Sequence, residues 1–330
     1  MDWFAISRHR RAIALLFTCV LAFASQADAQ QPYPSNTIRI LVPVAAGAPP
    51  DIISRIVAAE VAEAESWKVI VENRPGALQT IAGAEVLKHP ADGYALYALS
   101  IPVTSAPALM PNIPFRLAAD FVPVIKISTS YNVLVVNPSV PAQSMAELVA
   151  LLKSQPDKLN FSSAGFGTPA HLIGEMFKLQ QGVHATHVPY QQMPQAIGDL
   201  LGGVNHYMFV TTLPVVDLIS SGRLRALAVT APARIAALPN VPTVVEQGFP
   251  DFVVEDWVGF AVKSGTPADI VAKLNAAINK ALAKPKVRDA FARLGAAPAG
   301  GTPAEFGNLV TAQVSHWGRV IKESGIKLPQ

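Results

Sequence analysis

Twice in this chain a short β-rich run breaks at a turn of small residues and passes directly into a helix-length amphipathic run. The first unit runs from Ile38 to Val61 through the turn Val44-Ala45-Ala46-Gly47-Ala48-Pro49-Pro50. The second runs from Lys158 to Gln180 through Ser162-Ser163-Ala164-Gly165-Phe166-Gly167-Thr168-Pro169, about 120 residues further on. A strand feeding a helix and then another strand, as Ile38 to Val44, Asp51 to Val61 and Lys68 to Asn73 suggest, packs as a parallel sheet with helices on its faces. Two such units in 330 residues predict an α/β chain of two lobes, each contributing one turn to a cleft between them.

Further strands are expected near Tyr94, at Asn132 to Pro138, Lys158, Thr186, His206, Leu224 and Trp257. Helix starts are marked by capping patterns. Ser144-Met145-Ala146-Glu147 and Thr302-Pro303-Ala304-Glu305 place Glu three residues after a hydroxyl, and Thr266-Pro267-Ala268-Asp269 repeats the design. Ile270, Leu274, Ile278 and Leu282 then recur at helical spacing, as do Phe306, Leu309, Val310, Val314, Trp317 and Ile321. Such stripes bury against a sheet.

The N-terminus reads Arg8, Arg10 and Arg11, an apolar run from Ala12 to Ala24, and the small-residue site Ala27-Asp28-Ala29. That order predicts a secretory leader over residues 1–29, cleaved before Gln30; the run falls short of the roughly 20 residues a spanning helix needs. Cys19 is the one cysteine and lies in this segment, behind a bulky Phe17 that suits lipid attachment poorly. The mature chain is therefore expected to be soluble, without disulfides, and stabilised by burial of its 51% hydrophobic residues. A net charge of +3 with no basic run points to neither nucleic acid nor an anionic membrane as partner.

The chemistry lies in the turns. First-turn N–H groups of a helix and its dipole stabilise an anion without lysine or arginine, provided small residues let the ligand approach the backbone. Ala46, Gly47 and Ala48 meet that need in the first turn, and Ala164, Gly165 and Gly167 in the second, with Ser162, Ser163 and Thr168 adding hydroxyls. Pro49 and Pro50 donate nothing. Dinucleotide and phosphate-loop glycine motifs and the G-x-S-x-G elbow are absent, so Ser163 reads as an anion-contacting hydroxyl and no enzyme is expected. His184 and His187 share a spacing seen in metal sites but on a strand would point to opposite faces, so no metal and no cofactor is expected.

The runs YPSNTIRILVPVAAGAPPDIISR, VENRPGALQTIAGAEVLKHPADGY, NVLVVNPSVPAQSMAEL, LNFSSAGFGTPAHLIGEMF, HVPY, LRALAVTAPAR, LPNVPTVVEQGFPDF and GAAPAGGTPAEF together resemble the Bug-type receptors of tripartite tricarboxylate transporters. The resemblance covers Tyr33 to about Ile326. It implies a periplasmic two-lobed binding protein of type II-like fold, each lobe a mixed, mostly parallel sheet flanked by helices, hinged on two crossing strands. The lobes are expected over residues 30–130 with 262–330, and over 131–261. It further implies a monomer that closes on a small carboxylate and presents it to the permease subunits of a membrane transporter. A sensor that reports the ligand to a membrane kinase would use the same cleft.

Carried onto this sequence, the ligand positions are Ala46, Gly47, Ala48, Pro49 and Asp51 in the first loop, and Ser163, Ala164, Gly165, Phe166, Thr168 and His171 in the second. Thr80, Ser100, Tyr190, Met193, Val210 and Thr211 complete the set. Here the sequence departs from the family pattern. Pro50 stands in a usual Gly-Gly-Pro-Thr-Asp-like run, Leu78, Gln79 and Thr80 replace Gly, Gly and Asn, Val210 replaces an Asp, and Gln191-Gln192-Met193 replaces Lys-Gly-Ser/Thr. Fewer polar partners leave a second carboxylate or an amine unpaired at roughly 1–3 kcal/mol or more. The expected ligand is accordingly a mono- or dicarboxylate whose apolar or aromatic body packs on Phe166, Met193 and Val210.

Overall fold

Proline at the first helical positions and extended residues just before them make the first unit as the sequence suggests: β1 (Ile38–Val42) leads through the small-residue turn into α1 (Pro49–Glu65). A computed structural model describes residues 33–328, so the leader and Cys19 lie outside the described residues. Residues from Asn36 onward form one compact unit. After α1 come β2 (Val69–Asn73), a 3-10 turn at Ala77–Gln79, α2 (Thr80–Lys88), β3 (Ala95–Ser100), α3 (Ile101–Leu109) and the short α4 (Leu117–Asp120). A long strand, β4 (Phe121–Val136), follows.

The second unit is α5 (Met145–Ser154), β5 (Asn160–Ser163), α6 (Pro169–Gln181), β6 (Thr186–Pro189), α7 (Met193–Leu201), β7 (Tyr207–Thr211), α8 (Val216–Ser220) and β8 (Arg225–Val229). The chain then returns through β9 (Glu255–Lys263) to α9 (Ala268–Leu282), α10 (Pro285–Arg293), β10 (Ala296–Gly300) and α11 (Pro303–Ser324).

The strand order β2-β1-β3-β9-β4-β7-β5-β6 has two like halves. In the first, β1 runs parallel to both β2 and β3, with β9 antiparallel beside β3. In the second, β5 runs parallel to both β6 and β7, with β4 antiparallel beside β7. β4 joins them: Phe121 to Tyr131 pair with β9, and Asn132 to Val136 pair with β7 and β8. This is the two-lobed α/β architecture, with β4 running from one sheet into the other and the chain returning to the first sheet at the start of β9. β9 pairs along its whole length with β3 and the first part of β4, so Glu255 to Ala261, expected with the second lobe, sit in the first sheet.

Burial follows from this layering. β3 is buried at every position, as a strand covered on both faces must be. One apolar core runs from Leu41 and Tyr97 to Phe161, Phe209 and Trp317; a second gathers Val133, Val210, Leu224 and Val229. The C-terminal helix α11 packs on α3, on β4 and on α6, and so touches both halves. Ser144 and Thr302 cap their helices as expected, accepting from Glu147 and Glu305 N–H at 3.1 and 3.2 Å. Thr266 does not: its hydroxyl donates to Lys263 O at 2.8 Å, and α9 starts behind Pro267 without a side-chain cap.

Candidate functional site

Both small-residue turns leave the carboxyl ends of the middle strands of their sheets, where ligands of open α/β folds bind. The first is held from within. Asp51, 2% exposed, accepts from Gly47 N–H at 2.9 Å, from Asn73 Nδ2 at 2.8 Å and from Arg55 Nε at 3.0 Å. Asn73 also donates to Val44 O and accepts from Arg55 Nη2. Burial opposes ionisation of Asp51, but the hydrogen bonds from Arg55, Gly47 and Asn73 and the Arg55 charge outweigh it and hold the carboxyl below its ordinary pKa. Asp51 therefore fixes the loop rather than facing a ligand, and Gly47, at φ +84°, supplies the left-handed backbone that brings its N–H onto it.

The second turn is built around two neutral histidines. Ser163 Oγ lies 2.7 Å from His187 Nε2, accepts from Gly165 N–H and bonds to Gly165 O. Gly167 N–H donates to His171 Nδ1 at 3.0 Å, which places the proton of that ring on Nε2. The two imidazoles stack at 4.1 Å, and Phe166 meets both edge-on. Burial, then His187 and Lys178, pushes His171 down to about 3; burial, then Lys178, brings His187 to about 4. His184 is exposed while His187 turns inward, so the pair does not converge.

A cleft of about 220 Å³ opens between the two sheets. Four helix N-termini meet there: α1 through Pro49 and Pro50, α3 through Ser100 and Pro102, α6 through Thr168, Pro169 and Ala170, and α7 through Met193. Each carries about half a positive charge by its dipole. The two prolines of α1 lack N–H groups, so that end offers field without donors, whereas α6 has Ala170 and His171 in its first turn. Residues of β4, β7 and β9 form the floor: Ser130 and Asn132 on β4, Thr211 on β7, and Asp256, Trp257 and Val258 on β9. No lysine or arginine lines the cleft among the described residues.

Of the positions expected to meet ligand, Pro49, Ser100, Thr168, Met193 and Thr211 line this cleft. Ala46, Gly47, Ala48, Ala164 and Gly165 belong to the flanking turns and are not among its lining residues. Thr80 is buried and donates to Ala77 O, and Tyr190 donates to Asp199 Oδ2 at 2.6 Å and accepts from Asn205. Ser163 and His171 are buried in the turn they brace. Phe166 and Val210 are not among the residues lining this cleft. Phe166 is taken up by the histidine pair, and Val210, 0% exposed, packs in the second core.

Sequence reasoning missed Gln79, Ser130, Asn132, Asp256 and Trp257, all lining residues. Gln79 Nε2 donates to Ser100 Oγ at 2.6 Å and Oε1 accepts from Ser100 N–H, while Tyr97 donates to the Gln79 carbonyl. Asn132 Nδ2 and Trp257 Nε1 are buried donors without partners. Asp256 Oδ1 accepts from Trp257 N–H at 2.9 Å. Burial raises its pKa, the hydrogen bond from Trp257 opposes that, and Glu255 adds to it, leaving the carboxyl at about 7.

Two like sheets that share a long strand, with helix ends converging on a small cleft free of lysine and arginine, define a two-lobed solute receptor. The chain belongs to the tripartite tricarboxylate transporter receptor family, whose model matches residues 53–326. It is 34% identical to Protein BugT of Bordetella pertussis over 96% of this chain and 98% of that one. The solved structure of Rhodopseudomonas palustris Rpa4515 with adipate superposes with a TM-score of 0.80 at 30% identity, covering 90% of this chain and 100% of the other. MatC from the same organism with bound malate gives 0.76 at 31% identity over 88% and 100%. The chain is thus a solute-binding receptor of a periplasmic family and not an enzyme.

Proposed function

We propose that the protein captures a small carboxylic acid with an apolar body in the cleft between its lobes and delivers it to the permease of a tripartite tricarboxylate-type transporter. The observation that carries this is the convergence of four helix N-termini on a cleft with no lysine or arginine. Field of that kind holds an anion, and α6 adds N–H donors. The adipate and malate in related receptors agree with a carboxylate. A volume of about 220 Å³ lies below the roughly 300–1,000 Å³ of sites for drug-sized ligands, and three carboxylates would exceed the donors at hand.

The lobes exchange between Tyr131 and Asn132, where β4 changes partners from Glu255 to Thr211, and between Val254, which bonds to Thr230 O, and Glu255. The protein acts as a monomer after a leader ending at Ala29 is removed, and ligand favours the closed state because contacts from both lobes form only there. A thermal-shift panel of mono-, di- and tricarboxylates tests the ligand: short acids with apolar bodies raise the melting temperature and citrate does not. Stabilisation by citrate above all others overturns the assignment. A crosslinking pull-down that recovers a membrane kinase and no permease favours the sensing role instead.

A further inference from the structure

Beside the cleft, three successive residues that carry side chains, Ala77, Leu78 and Gln79, hold φ of 46°, 50° and 74°. Glycine would hold those angles without strain, so what these side chains touch decides what the turn does. The pins come from the first lobe. Gln79 Nε2 donates to Ser100 Oγ at 2.6 Å, Ser100 N–H donates to Gln79 Oε1 at 3.1 Å, the Tyr97 hydroxyl donates to Gln79 O at 2.8 Å, and Thr80 Oγ1 donates to Ala77 O at 2.7 Å. Leu78, half-buried, reaches the other way and packs over Gly167 in the turn of the second lobe. A Cβ on Gly167 would overlap Leu78 Cδ2 and stand 3.3 Å from Leu109 Cδ1. The φ of Gly167, +70°, favours glycine; its N–H donates to His171 Nδ1 at 3.0 Å, and Thr168 Oγ1 donates to Gly165 O at 2.7 Å. The socket is thus fixed by the second lobe as the knob is by the first.

Knob and socket each keep their shape by bonds within their own lobe, so neither needs a solute in order to form. Gln79 and Thr168, the chain neighbours of the two contact residues, line the cleft, which puts the contact at its edge. Apolar surface of Leu78 leaves water when the lobes meet there and returns to it when they part, whatever the cleft holds. We propose that Leu78 is the latch of the receptor: a positioning residue whose seating on Gly167 favours the closed arrangement before a solute arrives, leaving less of the cost of closure for the solute to meet. The strain of the turn is borne in both arrangements, because its pins lie within one lobe, and it keeps the knob erect for the next closure. This rests on the closing motion of the proposed function and is independent of the chemistry of the solute.

The test uses protein from Gln30 onward, which lacks Cys19, freed of bound solute by unfolding and refolding. Spin labels sit on Lys88→Cys and Lys153→Cys, exposed positions of the first and second lobe, and pulsed dipolar spectroscopy reads the distances between them with no solute added. The expected result is that L78A raises the population of longer distances about threefold or more over the parent, and that L78M, which keeps an apolar knob, returns it to the parent level. G167A, which fills the socket from the other side, should raise the same population with Leu78 in place. If L78A lowers the melting temperature and leaves the distances as in the parent, Leu78 is permanent packing and the inference is overturned. A single distance in the parent that none of the variants moves overturns it as well, while the carboxylate reading stands or falls separately on the thermal-shift panel. Where L78A does not fold, G167A decides alone, and unmoved distances there overturn the inference.

Discussion

Asp256 loses water as the crossing strands close around it, and its folded pKa of about 7 lies above the ordinary 3.8. The unfolded chain then ionises first as pH rises, so the folded state is progressively penalised from about pH 4 up to about 7. D256N removes that penalty: it should melt above the parent at about pH 8, with the two converging near pH 4, as scanning calorimetry across pH would show. Asp51 has the opposite sign. Its folded pKa is depressed, so its contribution is full above the unfolded value of 3.8 and is lost as pH falls through the folded one. D51N should cost about 1–3 kcal/mol in urea unfolding at neutral pH, and the gap should close in acid. His171 and His187 stay neutral in the fold down to about 3 and about 4, whereas the unfolded chain protonates both near 6.5. Stability should therefore fall as pH drops below about 6.5, and H187Q, which keeps a partner for Ser163, should flatten that fall.

At the scale of elements, the turn Ala77-Leu78-Gln79 holds three successive side-chain-bearing residues at φ 46°, 50° and 74°, in the left-handed region. Such positions cost of order 1–3 kcal/mol each and persist where the surroundings fix them. Here Gln79 is tied to Ser100 and Tyr97, and Leu78 lies over Gly167 of the second turn, where an added Cβ would stand 2.4 Å from Leu78 Cδ2. G167A should weaken binding of whichever acid the panel identifies, and adding L78A should recover the steric part but not the cost of φ +70°. The departures at Leu78 and Gln79 were legible in the sequence; that they keep a conformation suited to glycine was not. The strand-turn-helix units and the Ser144 and Thr302 caps were equally legible, because each depends on neighbours in sequence. The first two-thirds of β4 escaped notice because Pro123 interrupts its pattern, at a shift of register opposite β9. Asp256 escaped because a charge at the head of an apolar strand looks like an ordinary solvated end, and only the crossing of β9 with β4 places it in the cleft. The ring partners of Phe166 were not legible either, because His171 and His187 come from a helix and a strand that the local pattern does not bring together.

For the molecule as a whole, α11 spans from α3 to α6 behind the sheets and leaves relative motion to the crossing strands. Small-angle scattering should show a smaller radius of gyration with saturating ligand, and identical profiles would exclude closure. Cutting the chain before Pro303 removes the buried Phe306, Trp317 and Ile321 and should unfold both halves together rather than freeing one. The first loop, meanwhile, keeps its Gly47 N–H on Asp51, and β4 and β9, which supply much of the cleft floor, are also the strands that join the lobes. If the solute settles on that floor as proposed, sensing and moving become one mechanical event: strain at Asn132 or Asp256 would already be strain in the joint, with no relay of intervening side chains between them.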